Sequence, residues 1–464
     1  MEPLTLWQNL LRDTERKTTW AQALAKRDAV IRSLLEFHPD GACAPPHSEG
    51  AFQGIPFVVD SRIAAEGFRL TCSSRMLADF VSPYSATAVL RLQNAGAQVV
   101  ATGNADAFGM GASTENAATS VTRNPWNNDC VAGGASGGAA AAVASGLVPF
   151  ALAADTGGAL RQPASLCGCL GLRPTYGAVS RHGLAAHASS MDTIGVLARD
   201  IATLRRVYEC IAGPDERDPT TASPTPLASS AQRVGVLDDL SDLSAPVAQN
   251  YRDTVAALRD LGIETRPIAL PLLPHAVATY YVIAAAEAST SLARYTGVSY
   301  GFRQPDTATP EEMIRQTRSL GFNDENKLRI LLGTHALRAE NYPRYIARAT
   351  QARAAIRQGM AALFDNVDVD LILTPTYPTQ AFPLGTDAPH SIERKHADRY
   401  TILPSLAGLP AASFPTGTAN DLPLGLQLIA PPFGEARLFD ALGRILGDAP
   451  CPLPPTMTAL GGQP

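Results

Sequence analysis

The sequence has few cysteines and little excess charge. Seven cysteines are scattered over 464 residues, and only Cys167 and Cys169 are closely spaced. An odd, scattered set excludes a disulfide framework and indicates reduced thiols, as in a cytoplasmic protein. The net charge is only −5, and this small acidic excess argues against a surface that binds nucleic acid through bulk electrostatics. We therefore expect no direct contact with nucleic acid.

Long apolar runs and cofactor motifs are also missing. The longest apolar stretch, 139–154, is made largely of alanine, contains Pro149 and falls short of the roughly 20 residues that span a bilayer. We find no Walker loop, no dinucleotide-binding fingerprint and no zinc motif, and no further Cys or His accompanies Cys167 and Cys169 at metal-binding spacing. These absences predict no membrane contact, no cofactor and no metal.

Hydrophobic periodicity predicts an α/β fold with alternating strands and helices. The predicted strands are 54–60, 97–103, 234–238, 371–375 and 423–429. The predicted helices are one or two within 5–38, then 86–95, 136–146, most of 310–365, and 435–447. Leu34 and Leu35 are counted with the first of these helical patterns. The order strand 54–60, helix 86–95, strand 97–103 is that of a β-α-β unit.

Two glycine-rich segments form a frame suited to holding a nucleophilic serine, but that serine is absent. Residues 133–138 open an alanine-rich helix, whose N-terminal N–H groups would favour an anion above the loop. In Thr156-Gly157-Gly158 the glycines allow a tight turn, so that successive N–H groups can converge on the oxyanion of a ligand. The turn ends in Ala159, whose methyl group cannot attack a substrate.

These motifs resemble those of the amidase signature family over nearly the whole chain. The resemblance is carried by 116–145, which includes Thr-Arg-Asn-Pro-Trp, and by 155–176, which begins Asp-Thr-Gly-Gly-Ala-Leu-Arg-Gln-Pro. Within the family, the sequence is most similar to the A subunit of the bacterial Glu-tRNA(Gln)/Asp-tRNA(Asn) amidotransferase, through 280–301, 321–325, 332–334 and 406–410. The resemblance implies an α/β/α sandwich around a large twisted mixed sheet.

The helical pattern of the first 38 residues, a Pro-, Asp- and Thr-rich break at 214–225 and the resemblance together suggest a division of the chain into four parts. The parts are an N-terminal helical arm at 1–50, the amidase signature core at 51–212, an α/β and helical subdomain at 213–365, and the C-terminal part of the core sheet at 366–464.

Members of the family use a triad of serine, cis-serine and lysine, in which lysine relays a proton through the bridging serine as the nucleophilic serine attacks. Matching the motifs puts the lysine at Asp60, the bridging serine at Ala135 and the nucleophile at Ala159. Ala159 follows Ala135 by 24 residues, the spacing that the family pattern implies, so the replacements are in register. Ser61 and Arg62 also stand where Asp and Asn are usual. The resemblance therefore implies the fold without ordinary amidase chemistry.

Three residues near these positions have two interpretations each. The functional interpretation of Asp60 is a new general acid or base, or a counter-ion for a cationic ligand. In the other interpretation, Asp60 pairs with Arg62 or a backbone donor and only fills space. Ser136 is either a nucleophile or an N-cap that supports the following helix. His187 replaces the aromatic residue that is usual in related sequences. It either forms an acid/base dyad with Asp60 or is a packed ring with one satisfied nitrogen.

By resemblance, Tyr300, Arg353 and Asp398 fall where the amidotransferase protein binds glutamine. There the arginine would grip an α-carboxylate and the aspartate an α-amine. An amide or amino-acid-like small molecule is then expected to bind without being hydrolysed. The other interpretation of Arg353 is a solvated residue on the surface of a helix. Arg161 is predicted to be structural, bonding carbonyl groups across the site.

The sequence leaves three functions open. The first is a pseudoenzyme, a binding, scaffold or regulatory subunit beside an active partner. The second is a re-tooled enzyme in which Asp60, with His187 or Ser136, catalyses proton transfer or hydrolysis of an amide-like small molecule. The third is a paralogous amidotransferase subunit that holds a B-type or small C-type partner protein, with tRNA handled by that partner.

Overall fold

A single mixed sheet of eleven strands organises the part of the chain that the computed structural model describes, residues 3–40, 50–222, 230–270, 272–386 and 391–455. The order of strands across the sheet is β1-β3-β2-β4-β6-β5-β10-β11-β9-β7-β8. The strands are β1 (Leu34–Phe37), β2 (Pro56–Asp60), β3 (Gln98–Gly103), β4 (Phe150–Asp155), β5 (Leu170–Arg173), β6 (Thr193–Ala198), β7 (Arg233–Leu237), β8 (Glu264–Ile268), β9 (Leu371–Pro375), β10 (Ala411–Ala419) and β11 (Leu422–Ile429).

Fourteen α-helices accompany the sheet within these ranges. They are α1 (Pro3–Arg12), α2 (Thr14–Ile31), α3 (Thr87–Asn94), α4 (Gly137–Ala144), α5 (Arg161–Cys167), α6 (Ile201–Ile211), α7 (Ala245–Asp260), α8 (Leu273–Ser291), α9 (Pro310–Gly321), α10 (Asp324–Leu337), α11 (Arg348–Asp365), α12 (Ile392–Ala397), α13 (Arg399–Ala407) and α14 (Glu435–Leu446). None of them is long and apolar enough to span a bilayer.

The two faces of the central strands enter different hydrophobic clusters. Along β2, Phe57 and Val59 pack into the cluster that contains α3 and α6, whereas Val58 packs into the cluster that contains the alanines of α4. Successive side chains of a strand point to opposite faces, so helices cover both sides of the sheet. This arrangement confirms the predicted α/β class with layers of helix on a large mixed sheet.

The β-α-β prediction is confirmed. β2 and β3 pair in parallel, with Pro56 opposite Gln98 and Asp60 opposite Gly103. α3 connects them and buries Val89 and Leu92 against the sheet. The strands predicted near 234–238, 371–375 and 423–429 appear as β7, β9 and β11, and they belong to the same sheet. The division into four parts stays a prediction.

The prediction that Leu34 and Leu35 continue a helix was wrong. α2 ends at Ile31, and residues 34–37 form β1, which pairs antiparallel with β3 at the edge of the sheet. The reason is local: the carboxylate of Asp28 accepts hydrogen bonds from the backbone N–H groups of Ser33 at 2.7 Å and Leu34 at 3.2 Å. These bonds turn the chain out of the helix, so the end of the predicted N-terminal arm is part of the sheet.

Candidate functional site

The positions that the resemblance assigns to the triad lie close together. β2 ends at Asp60 and its parallel neighbour β4 ends at Asp155, so both carboxylates lie at the same edge of the sheet. Ser136 precedes α4, and its hydroxyl donates to Asp60 at 2.5 Å. The backbone N–H of Ser136 donates to the carbonyl oxygen of Ala159 at 3.0 Å. Asp60, Ala135 and Ala159 therefore share one neighbourhood.

Asp60 is a paired and fully buried carboxylate. It accepts hydrogen bonds from the backbone N–H of Arg62 at 2.9 Å and from two nitrogens of the Arg62 guanidinium at 3.2 Å each. The side chains of Asp60 and Arg62 are 0% and 1% exposed, respectively. Burial alone would lower the pKa of Arg62, but the adjacent Asp60 carboxylate raises it, so the guanidinium stays charged. This geometry favours the interpretation of Asp60 as an ion-pair partner.

Ser136 stands at the N-cap position of α4, but its hydroxyl makes no capping hydrogen bond. It donates instead to Asp60, and it accepts from the Arg62 guanidinium at 3.3 Å. Ser136 is completely buried. The capping role predicted for its side chain was therefore wrong, because its hydroxyl oxygen accepts from the charged guanidinium of Arg62 and not from the helix N–H groups.

Arg62 fits in this position because residue 109 is glycine. A Cβ atom on Gly109 would lie 1.9 Å from Nη1 of Arg62, far inside contact distance. Gly109 also has φ +75°, in the left-handed region where glycine is favoured. The Asp60–Arg62 pair and Gly109 are thus sterically coupled, although they are distant in sequence.

A small chamber of about 30 Å³ lies above Ala159 and adjoins an outer cleft of about 410 Å³. Both are lined by Gly111, Tyr281, Arg329 and Asp398, so the cleft leads into the chamber. The chamber is close to the share of liquid volume that one water molecule takes. The outer cleft carries charges of both signs, from Glu115, Asp324, Glu325, Arg329, Arg394, Lys395 and Asp398.

Thr156, Gly157 and Gly158 line this chamber, as predicted, but their N–H groups do not all face it. The N–H of Gly158 donates to the carboxylate of Asp155 at 2.9 Å. It is therefore not available to an oxyanion, and the expectation that successive N–H groups of the turn converge there was wrong at Gly158. The buried carboxylate at the end of β4 takes this donor because it needs hydrogen bonds of its own.

Asp155 is held by arginines from two other elements. Arg161 donates to it from α5 at 3.0 and 3.1 Å, and Arg173 from β5 at 3.0 Å. Burial alone would raise the pKa of Asp155, but the two guanidinium groups hold it well below its usual range. Arg161 also donates to the carbonyl oxygen of Thr401 at 2.8 Å. Its predicted role, bonding a carbonyl across the site, is confirmed.

A neighbouring loop is held by a third buried carboxylate, Asp106. It accepts hydrogen bonds from the backbone N–H groups of Thr114 and Asn116, both at 3.0 Å. Burial raises the pKa of Asp106 to about 7 against the opposing effect of these N–H groups. The loop lines the outer cleft through residues that include Glu115 and Asn116. Asp106 therefore fixes one wall of the cleft.

His187 lines the chamber, but it does not form the predicted dyad with Asp60. The oxygens of Asp60 are bonded to Arg62 and Ser136, and neither ring nitrogen of His187 has a hydrogen-bond partner among the described residues. The alternative prediction, a packed ring with one satisfied nitrogen, is wrong in its second part. Burial lowers the pKa of His187 well below its usual value, and Arg329 and Arg62 lower it further, so the ring is neutral.

Arg329 is a residue of the chamber that the sequence did not reveal. It lies on α10, is 4% exposed, and donates through Nε to Glu325 at 2.7 Å. Its guanidinium stacks over the ring of Tyr281 at 4.2 Å, and its Nη1 has no hydrogen-bond partner in the described ranges. In sequence, Glu325 and Arg329 form an i,i+4 pair that is typical of exposed helix faces. No local signal distinguishes the buried pair from an exposed one.

Of the predicted set of Tyr300, Arg353 and Asp398, Asp398 alone is among the residues that line the chamber or the cleft. Asp398 lines both the chamber and the cleft. Arg353 instead donates to the carbonyl oxygens of Leu406 at 3.0 Å and Ser190 at 2.7 Å. Tyr300 is 40% exposed. The guanidinium of Arg353 is thus bound to backbone carbonyl oxygens. The arginine that lines the chamber is Arg329 on α10.

Cys167 and Cys169 are buried thiols, as the sequence predicted. Both are fully buried, and Sγ of Cys167 donates to the carbonyl oxygen of Ala132 at 3.2 Å. The six cysteines of the described ranges are free, and Cys43 lies outside those ranges. Within the same ranges, no three His, Cys, Asp or Glu side chains cluster as a metal site would require.

Comparisons with known proteins agree with this architecture. The family model described as Amidase matches residues 35–439. The chain is 46% identical over 412 residues to the A subunit of the glutamyl-tRNA(Gln) amidotransferase of Moorella thermoacetica, covering 87% of this chain and 84% of that protein. The corresponding protein of a Roseiflexus species is 43% identical over 444 residues, covering 91% of each chain.

The fold of a solved relative agrees as well. The crystal structure of the A subunit of the glutamyl-tRNA(Gln) amidotransferase of Thermotoga maritima superposes with a TM-score of 0.80 at 34% identity, covering 96% of each chain. The sheet, the glycine-rich loops and the similarity over nearly the full length lead to one conclusion: this chain belongs to the amidase signature family.

Proposed function

We propose that this protein is a non-hydrolytic member of its family, a pseudoenzyme that binds a small amide or amino-acid-like molecule and acts as a binding, scaffold or regulatory subunit. The observation that carries the proposal is the chemistry at the triad positions. Ala135 and Ala159 offer methyl groups, and the carboxylate of Asp60 is engaged by Arg62 and Ser136. A methyl group neither donates nor accepts a proton, and losing one member of a triad costs several orders of magnitude in rate.

The burial of the ion pair supports the same proposal. A general base must come within hydrogen-bond reach of the proton that it abstracts. Asp60 is 1% exposed and Ser136 is 0% exposed, and neither lines the chamber above Ala159. A substrate that enters through the outer cleft therefore meets the turn at 156–159 without Asp60 or Ser136 beside it, and burial lowers the pKa of His187, which makes the ring in the chamber lining a weak base.

The proposed binding role is supported by the outer cleft, which is large enough for a small molecule. The cleft carries three cationic and four anionic side chains, which suits a ligand with charges of both signs. A protein partner is supported by the relatives, which are themselves named as subunits of an amidotransferase. Purification of the tagged protein from its own cells, followed by identification of co-purifying chains, tests the partner; recovery of the chain alone would count against a scaffold role.

The direct test of the proposal is an ammonia-release assay on the unmodified chain with L-glutamine and acetamide as substrates. We expect no release above that of a blank without protein, from either the unmodified chain or the Asp60→Ala variant. Release by the unmodified chain that this variant loses would overturn the proposal. Release by both proteins equally would overturn it too, and it would exclude Asp60 from the mechanism.

Restoring the triad is the complementary experiment, and the geometry dictates its design. Asp60→Lys by itself places an amine beside the buried guanidinium of Arg62 and removes the carboxylate that is paired to it. The triple variant Asp60→Lys, Ala135→Ser, Ala159→Ser is therefore expected to fold poorly. Adding Arg62→Asn, the residue usual in the family, is expected to restore folding and some amide hydrolysis. A triple variant as stable as the fourfold one would show that Arg62 does not constrain the site.

A re-tooled enzyme is the second candidate, and one observation favours it. The hydroxyl of Ser136 donates to Asp60 at 2.5 Å, a serine–carboxylate contact of the kind that activates nucleophiles. Ser136→Ala distinguishes the candidates, because it removes the hydroxyl and leaves the Asp60–Arg62 pair. An activity found with any amide or ester that this variant abolishes, with unchanged stability, would favour the enzyme.

A further inference from the structure

Lysine is scarce in this chain, and one of the few lysines lies in the outer cleft. The 38 lysine and arginine residues include only four lysines: Lys17, Lys26, Lys327 and Lys395. Lys17 pairs with Asp40 at 2.7 Å and Lys327 with Asp324 at 3.4 Å. Lys26 is exposed. Lys395, on α12, is instead half-buried and lines the cleft of about 410 Å³.

No carboxylate pairs with the ammonium group of Lys395 among the residues that the structure describes. Its Nζ lies over the ring of Tyr281, 5.3 Å from the centroid, and forms no hydrogen bond or ion pair within the described ranges. The guanidinium of Arg329 lies over the same ring, 4.2 Å from the centroid. An aromatic face attracts a cation but does not cancel its charge. Lys395 is therefore held near a second cation.

These surroundings favour the neutral amine. Burial lowers the pKa of the Lys395 ammonium, and Arg329 lowers it further against the opposing effect of Glu325. Arg394 and Asp398, from the same helix and its C-terminal end, line the cleft as well. The neutral amine, and not the ammonium group, is the nucleophilic form of a lysine. Lys395 therefore has more of its reactive form near neutral pH than an exposed lysine has.

Arg329 supplies a second, independent observation. It is 4% exposed, its Nε donates to Glu325 at 2.7 Å, and its Nη1 has no hydrogen-bond partner in the part of the chain that the structure describes. Leaving a buried donor unsatisfied is costly. An anion on the nearby Lys395 side chain would give this guanidinium a second counter-charge, whereas the ammonium group repels it. The two residues thus favour a reaction that turns the lysine cation into an anion.

We propose that Lys395 reacts reversibly with carbon dioxide to form a carbamate, which the charge of Arg329 stabilises. The lone pair of the neutral Nζ forms a bond to the carbon atom of CO₂, and one C=O π bond opens onto its oxygen. Nζ then gives a proton to solvent, so that amine and CO₂ become a carbamate anion and a proton. An aldehyde would leave a protonated imine, which keeps a positive charge beside Arg329, so the charges favour CO₂ as the electrophile.

The carbamate makes the outer cleft responsive to CO₂. Its formation removes one of the three cationic side chains of the cleft and adds an anion to the four already there. The cleft then favours ligands with a positive charge more strongly than before. This inference goes beyond the proposed non-hydrolytic function and does not depend on it.

Chemical trapping identifies the carbamate directly. The protein is equilibrated with isotopically labelled bicarbonate near neutral pH and treated with triethyloxonium ion, which ethylates the carbamate oxygen, before peptide mapping by mass spectrometry. We expect at least about tenfold more label at Lys395 than at Lys26, since each pKa unit by which an ammonium group is weakened gives about tenfold more free amine. The N-terminal α-amine is resolved as a separate peptide. No label at Lys395, or equal label at both lysines, would overturn the proposal.

Variants test the part played by the neighbouring charges. Arg329→Gln removes the stabilising cation and raises the pKa of Lys395, and we expect at least about threefold less carbamate, the factor that half a pKa unit gives. Glu325→Gln is expected to increase the yield, because Glu325 raises the pKa of Lys395 and would repel the anion. Lys26→Arg is the matched control and should leave the label at Lys395 unchanged. An unchanged yield in folded Arg329→Gln would contradict the assignment.

A measurement on the unmodified chain decides the question if the buried pair of Arg329 and Glu325 does not tolerate substitution. Trace labelling with acetic anhydride over a range of pH gives the titration midpoint of each lysine. Lys395 is expected to titrate at lower pH than Lys26 and Lys327, and added bicarbonate is expected to slow its acetylation selectively. Equal midpoints, or acetylation of Lys395 that bicarbonate does not slow, would each overturn the carbamate site.

Discussion

Asp60 and Asp155 end neighbouring parallel strands, and both are buried and bonded to arginine, yet they are held in different ways. The partner of Asp60 is Arg62, two residues further along the same loop. Asp155 is held by Arg161 and Arg173, which come from a helix and from another strand. Its network reaches the carbonyl oxygen of Thr401 through Arg161.

This difference indicates which of the two carboxylates the fold depends on. A carboxylate tied to several elements fixes their mutual position, and the fold depends on it. The ion pair of Asp60 lies within one loop, so both charges can be replaced together, and the contact that Asp60 makes with Ser136 of another element is with an uncharged hydroxyl. The Asp155 network is therefore expected to be essential for folding, and the Asp60–Arg62 pair to be exchangeable as a unit.

The largest expected effect is that of Asp155→Ala. It leaves two buried guanidinium groups without their shared counter-ion, and breaking a buried pair in this way costs about 5 kcal/mol. Chemical denaturation followed by circular dichroism measures the loss, or shows that the variant does not fold. A loss no greater than that of Asp60→Ala would break the distinction between the two carboxylates.

A smaller loss, about 3 kcal/mol, is expected for Asp60→Asn, which leaves one buried guanidinium unpaired. The double variant Asp60→Asn, Arg62→Met removes the remaining charge and should recover more than half of that loss. A double-mutant cycle, with the free energy of unfolding measured for all four proteins, checks this. Additive losses would mean that the pair is not a unit.

Gly109→Ala is expected to destabilise by about 2 kcal/mol, because its Cβ atom would collide with Nη1 of Arg62. In the Arg62→Met background the collision is relieved, and only the cost of the left-handed φ should remain, about 1 kcal/mol. The same denaturation experiment measures both. Equal losses in the two backgrounds would contradict the steric coupling.

Asp106 extends the comparison to a buried carboxylate that accepts from backbone N–H groups and has no guanidinium partner in the part of the chain that the structure describes. We expect it to make the free energy of unfolding depend on pH. Its pKa is raised to about 7 in the folded protein, chiefly by burial. The folded chain therefore keeps a proton that the unfolded chain releases near pH 4, and the free energy of unfolding falls as the pH rises from 4 to 7. The slope is at most about 1.4 kcal/mol per pH unit.

Asp106→Asn removes this contribution, and its unfolding free energy should fall less between pH 4 and 7 than that of the unmodified chain. Thermal or chemical denaturation at intervals of half a pH unit measures the difference between the two proteins. Parallel pH profiles would show that Asp106 is ionised throughout, as Asp155 is.

Much of the fold was predictable from periodicity, because β2, α3 and β3 have the local signatures of their states. β4 and β6 were missed, since both are short, fully buried and apolar, and such runs do not show the alternation of a half-exposed strand. Leu34 followed a helical pattern, but Asp28 ended the helix through hydrogen bonds that periodicity does not encode.

The parts of the site whose backbone is fixed by sequence motifs were predictable. The parts that depend on which side chains are buried and paired in the folded protein were not. The glycine turn and the neighbourhood of Asp60 followed from motifs. Whether Asp60 was paired depended on the rotamer of Arg62, which the sequence left open. Arg329 was missed because an i,i+4 pair with Glu325 is typical of solvent-exposed helices, and only tertiary packing buries it. Arg353 was assigned by resemblance, but backbone carbonyls take its guanidinium.

The close approach of Arg62 to Gly109 determines the order in which these two residues can be substituted. With Arg62 in place, any side chain at position 109 meets the guanidinium, so that position is closed to substitution until residue 62 becomes smaller. The two sites are epistatic: the same alanine at 109 is tolerated in one background and harmful in the other. A series of substitutions that includes residue 109 is therefore expected to change residue 62 first.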